Sequence, residues 1–154
     1  MQINVRIPRP DYVDLASQGR RGPFAPIVIL LEAMAQVDEW MIRQGGYPPL
    51  YRSGVRYKQE PPGVEEFVSY DVVLQRGWGD CGHLAPARVG ELRAMGIPAK
   101  CCIIWRWVDT PSHPIMLVHV GVEYPDGHIE DPSNLLGMRG DPFGTRGNGL
   151  WGEA

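Results

Sequence analysis

The chain has 154 residues, a formal net charge of -3, 44% hydrophobic and 21% charged residues. That length suits one domain, 1–154, with a core of its own, and the slight acidity leaves no broad basic field for nucleic acid. Nineteen Gly and 15 Pro predict a loop-rich fold of short elements.

In chain order, Ile3 to Pro8 reads as a short edge strand, followed by a loop through the local pair Arg20 and Arg21. From Ile27 to about Arg43, the residues Ile27, Leu30, Leu31, Met34, Val37, Trp40 and Met41 recur at steps of three and four. This predicts a helix with one apolar stripe, stopped by Gly45 and Gly46. The apolar stretch from Phe24 to Ala35 is broken by Pro26 and Glu32 and is too short to span a bilayer, so no membrane partner is expected. The start of the chain lacks the pattern of a secretory signal, which gives the expectation of a cytoplasmic protein with reduced thiols, in keeping with an odd count of cysteines.

Residues 50–80 are mixed, and within them only Phe67 to Leu74 suggests an ordered turn or short helix. Asp80 is a good N-cap type, and Leu84, Arg88, Leu92 and Met95 mark a helix that stops at Gly96 to Pro98. Pro86 removes one backbone hydrogen bond inside it, which predicts a late start or a bend. Strands are expected at about Lys100 to Val108, holding Cys101 and Cys102 as structural residues, and at Ile115 to Tyr124. In the second strand Met116, Val118, Val120, Val122 and Tyr124 share one face, while His119 and Gly121 share the other. From Arg139 onward the Gly-rich tail, 139–154, is expected to be irregular and pinned by Phe143 or Trp151.

Pro125, Asp126 and Gly127 suit a three-residue hairpin loop. Such a loop pairs Tyr124 with His128 and therefore Gly121 with Asp131, which sets Asp131 diagonally beside His119 and turns Glu130 to the other face. Cys81, at a helix start, feels the positive end of the helix dipole, and this favours its thiolate. A histidine on a neighbouring strand can take the thiol proton, with a carboxylate behind it fixing the tautomer. His83 is a rival base, but residues two apart on a helix do not face each other. His113 and His128 read as solvated. His119, His128, Glu130 and Asp131 lack the paired spacings of zinc sites and divide between faces, so neither a metal nor another cofactor is expected.

The stretches "GDCGHLAPARVGELRAMGIPAK", "LVHVGVEYPDGHIEDPS" and "LYRSGVRYKQEP" cover roughly Leu50 to Met138. Together they resemble the transglutaminase-like superfamily, especially the short cysteine peptidase-like members of phages and prophages. The resemblance implies a papain-like α+β fold, with the nucleophile at a helix N-terminus packed against an antiparallel sheet. It implies acyl transfer through a thioester, with Cys81 as nucleophile, His119 as base and Asp131 as the orienting acid. Papain-like proteases place an oxyanion-binding glutamine at the offset of Gln75, and transglutaminase relatives use an aromatic N–H or hydroxyl, which makes Trp78 and Tyr57 the other candidates. The implied partner is a protein or peptide substrate, in a host cytoplasm or a virion if the chain is phage-encoded. The little chain outside the matched stretch makes hydrolysis the expectation over cross-linking. The alternative is a noncatalytic structural or binding module of the same fold, in a phage particle.

Overall fold

In the computed structural model, which describes residues 2–3, 24–61, 65–109, 111–112, 115–143 and 152–153, the first piece is strand β1 (Gln2–Ile3). The rest of the expected edge strand, the Arg20 and Arg21 pair, His113 and Trp151 lie outside the described residues.

Helix α1 (Ala25–Arg43) opens on Pro26, whose fixed φ suits a first helical turn, and ends before Gly45 and Gly46, both at φ 87. It buries Leu31, Met34, Ala35 and Asp38, whereas Trp40, expected on the apolar stripe, is 65% exposed. The reason lies across the interface. Helix α1 packs closely on a later helix at Gly90, where an added Cβ would stand 2.7 Å from the Glu39 nitrogen and 2.9 Å from the Asp38 Cβ. The absent side chain lets the two backbones close together and draws Asp38 inside. Asp38 Oδ1 accepts the Tyr70 N–H at 2.7 Å. Burial pushes its carboxyl up to about 7.

The mixed segment resolves into short pieces. A 3-10 turn (Leu50–Arg52) leads to β2 (Arg56–Tyr57), then to β3 (Phe67–Val68), which pairs antiparallel with β1. Helix α2 (Tyr70–Arg76) follows and ends on Gly77 at φ 74. Strand β4 (Trp78–Gly79) pairs parallel with β2, Tyr57 opposite Gly79. The stretch expected to be one ordered turn is thus divided between β3 and α2.

Helix α3 (Cys81–Ala94) starts directly after Asp80, whose side chain accepts the Gly82 N–H at 2.9 Å. Pro86 does not delay it. A proline at that place costs the helix one hydrogen bond, to the Gly82 carbonyl, and the buried packing of Leu84, Ala85, Ala87 and Val89 around it holds the helical course.

Strands β5 (Lys100–Val108) and β6 (Ile115–Glu123) pair antiparallel along their whole length. They lie at the centre of a four-stranded antiparallel sheet in the order β7-β6-β5-β8, with β7 (Ile129–Glu130) and β8 (Gly152–Glu153) at its edges. The tail expected to be irregular therefore returns to the sheet at β8. A short helix α4 (Pro132–Leu135) follows β7. Leu31, Met34, Ala85, Val89, Ile103 and Val122 join α1, α3 and the sheet in one core, and Cys81 packs against it. The fold is α+β, with the cysteine at a helix start set against antiparallel strands. Among the described residues no helix is long and apolar enough to cross a membrane.

Candidate active site

The hairpin loop places the first pair of functional side chains. Tyr124 N–H donates to the His128 carbonyl at 2.8 Å, Gly127 N–H donates to the Tyr124 carbonyl at 2.9 Å, and Gly127 takes φ 84. The register that follows pairs Val122 with Glu130, as the three-residue loop predicts, and so sets Asp131 across from Gly121. His119 Nε2 and Asp131 Oδ2 lie 2.9 Å apart. The other carboxylate oxygen accepts the Ser133 and Asn134 N–H groups at 3.0 and 3.2 Å, capping α4. Asp131 is held through both oxygens, which fixes the imidazole it faces.

Glu130 does different work. It accepts from Arg88 Nε at 2.8 Å, from the Tyr124 hydroxyl at 2.7 Å and from the Tyr51 hydroxyl. Burial acts to raise its carboxyl, but these partners outweigh burial and hold it below the usual carboxylate range. His128 is exposed and rests against the Tyr124 ring, with centroids 4.9 Å apart.

His119 is buried, and the ring of Phe143 stands against its imidazole with centroids 5.3 Å apart. Gly121 makes room for that ring, because a Cβ there would lie 2.5 Å from Phe143 Cε2. Phe143 thus pins this part of the tail to the strand that carries His119.

Cys81 is the first residue of α3 and is half-buried, near enough to the Val120 amide for that N–H to act on its thiol. Strand geometry explains the free donor. The amides of Tyr124, Val122 and Val120 point to the β7 side in alternation, and β7 ends before it reaches Val120. Cys81 therefore meets β6 at the residue next to His119. Burial pushes the Cys81 thiol up, and the charges of Asp80, Glu65 and Asp131 push it further, while the Val120 amide opposes them. Burial and these charges act against the helix dipole expected to favour the thiolate.

The three oxyanion candidates separate. Tyr57 is half-buried at the end of β2, and its hydroxyl is pushed up to about 12 by burial first and then by the charges of Cys81, Asp80 and Asp131. Gln75 is exposed on α2. The Trp78 ring is taken up by two cations, Lys58 Nζ at 4.8 Å and the Arg76 guanidinium at 3.9 Å from its centroid.

His83 is buried and serves the start of its own helix: its Nδ1 lies 3.2 Å from the Asp80 backbone nitrogen and 2.7 Å from Asp80 Oδ1. Beside it stand two carboxylates that sequence reasoning did not single out. Burial raises Glu60, and burial with the charges of Asp80 and Glu60 brings Glu65 up to about 7. The approach of Glu60 to Asp80 and His83 follows from the parallel β2–β4 pairing, for which the mixed stretch offers no periodic signal.

No family model matches the chain, and no curated protein matches it. Among solved structures it is similar to the periplasmic domain of TgpA from Pseudomonas aeruginosa bound to ethylmercury. The likeness has 23% identity and a TM-score of 0.41, over 69% of this chain and 45% of that one. The chain spans less than half the length of that solved chain, and at this degree of overlap the chemistry rests on its own side chains.

Proposed function

We propose that the chain is a transglutaminase-like cysteine hydrolase that cleaves an amide bond in a protein or peptide through a thioester on Cys81. The observation that carries this reading is the 2.9 Å pair of His119 on β6 and Asp131 just after β7, with the helix that begins at Cys81 packed on β6.

Asp131 accepts the Nε2 proton of His119, which leaves Nδ1 as the base nitrogen. Nδ1 takes the Cys81 proton as the sulfur attacks the substrate carbonyl carbon. The oxyanion that forms is held by the Cys81 amide, one of the free donors of the first helical turn, and by the Tyr57 hydroxyl. Collapse of this intermediate breaks the C–N bond, and His119 returns the proton to the departing amine. Water, deprotonated by the same imidazole, then attacks the thioester, releasing the acid and restoring the thiol. The phage-type resemblance of the sequence belongs to this reading.

The test is a peptide or glutamine-containing substrate supplied with excess primary amine, the products being weighed by mass spectrometry. Free acid together with a transient acyl-enzyme on Cys81 is the expected result. A predominant amine adduct overturns hydrolysis in favour of transfer. Absence of any acyl-enzyme on Cys81 across a peptide library favours the second reading, a noncatalytic module, for which the raised thiol and the Phe143 ring over His119 speak.

A further inference from the structure

A second group of ligand-type side chains meets at the start of α3. One ligand atom each from Glu60, Asp80 and His83 lies within 4.8 Å of the others. The side chains of His83 and Glu60 are 0% and 4% exposed. Glu60 Oε2 accepts the Glu66 N–H at 3.0 Å, but its buried Oε1 has no hydrogen-bond partner. That oxygen faces His83 Nε2 at 3.8 Å, beyond hydrogen-bond range. Two ligands each about 2.1 Å from one tetrahedral ion stand roughly 3.4 Å apart, so a small closure of this gap admits an ion.

The other side of the imidazole is held by the helix start: His83 Nδ1 accepts the Asp80 backbone N–H at 3.2 Å and lies 2.7 Å from Asp80 Oδ1, which turns Nε2 toward Glu60. Charge is also in excess. Glu65 adds a further carboxylate close to Asp80 and Glu60. The guanidinium facing the group, Arg76, lies 3.2 Å from His83 Nδ1 and 3.4 Å from Nε2, and is shared with Glu66 at 3.2 Å and with the Trp78 carbonyl at 3.0 Å.

We propose that Glu60, His83 and Asp80 bind one divalent transition-metal ion beside Cys81, with Glu60 Oε1 and His83 Nε2 as its principal ligands. One imidazole nitrogen with carboxylate oxygens suits an ion of the zinc class better than calcium or magnesium. The site stands whether or not Cys81 is a nucleophile.

The test uses the full chain after treatment with a chelator, titrated with Co²⁺ and followed by visible absorption, with Zn²⁺ content measured after gel filtration. The expected result is uptake of one ion, a loss of affinity of about tenfold or more in Glu60→Gln with unchanged circular dichroism, and unchanged uptake in Cys81→Ser. Should Glu60→Gln not fold, Glu60→Asp, with its carboxylate drawn back by one methylene, gives the same comparison. Failure of the wild-type chain to take up an ion, equal affinity in the folded Glu60 variant, or a thiolate-to-cobalt band that disappears in Cys81→Ser overturns the proposal.

Discussion

Two pairs of histidine and aspartate meet near the start of α3, and they differ in what surrounds them. In the first, His119 and Asp131 lie 2.9 Å apart, and the remaining Asp131 oxygen is filled by two backbone amides. In the second, His83 and Asp80 lie 2.7 Å apart, but Glu60 and Glu65 crowd the same space and Glu60 Oε1 has no partner. The residue types are the same. A balanced pair with satisfied hydrogen bonds holds an imidazole ready to move a proton, whereas an excess of carboxylate with one unsatisfied oxygen is suited to hold a cation.

The largest expected effect comes from removing the group that both pairs flank. Cys81→Ala should reduce turnover to background with the fold intact, since no covalent route remains. Near-normal hydrolysis in that protein sinks the cysteine mechanism.

The next change acts on the balanced pair alone. Asp131→Asn should lower kcat by about 10²-fold or more, because the amide no longer holds the base tautomer, while asparagine still caps α4. Glu130→Gln, next to it in the chain, should leave kcat within about threefold and instead lower the unfolding temperature, because it weakens the partnership with Arg88. If the Glu130 change is the more damaging to turnover in folded protein, the assignment of roles on the hairpin is wrong.

Tyr57→Phe removes one donor from the proposed oxyanion site and should lower kcat about 10- to 100-fold with KM nearly constant. A change confined to KM would make Tyr57 a substrate contact and leave the Cys81 amide without that companion.

The smallest effect belongs to the acid-rich side. Glu65, with its carboxyl up to about 7, is neutral in mildly acidic solution and gains its charge as pH rises through neutrality. That charge raises the Cys81 thiol. Wild type and Glu65→Gln should therefore be alkylated by iodoacetamide at the same rate near pH 5.5, and above pH 7.5 the variant should react severalfold faster. Equal rates across the whole range would show that Glu65 does not bear on the sulfur.

The legible parts of the molecule were those fixed by local chemistry. Asp80 marks the start of α3 and Pro125-Asp126-Gly127 fixes the length of the hairpin loop, so the position of Cys81 and the proximity of His119 to Asp131 followed from the sequence. The side of α1 that is buried did not. Trp40 fits the helical period as well as its neighbours do, and only the close approach at Gly90, on another helix, turns Asp38 inward. The cluster at Glu60 and His83 was hidden for the same reason. Its members come together through the parallel pairing of two-residue strands, too short to carry any alternation. The direction of the Cys81 shift was missed because a dipole at a helix end is local and readable, whereas burial and carboxylates brought from elsewhere are not.

Phe143 is the last of these side chains to leave the ribosome. The residues of the hairpin that joins His119 to Asp131 all precede, in the order of synthesis, the ring that stands against the imidazole. The order of synthesis therefore separates the making of the pair from the closing of its surroundings, and the notch at Gly121 waits to receive an aromatic ring made later in the same chain.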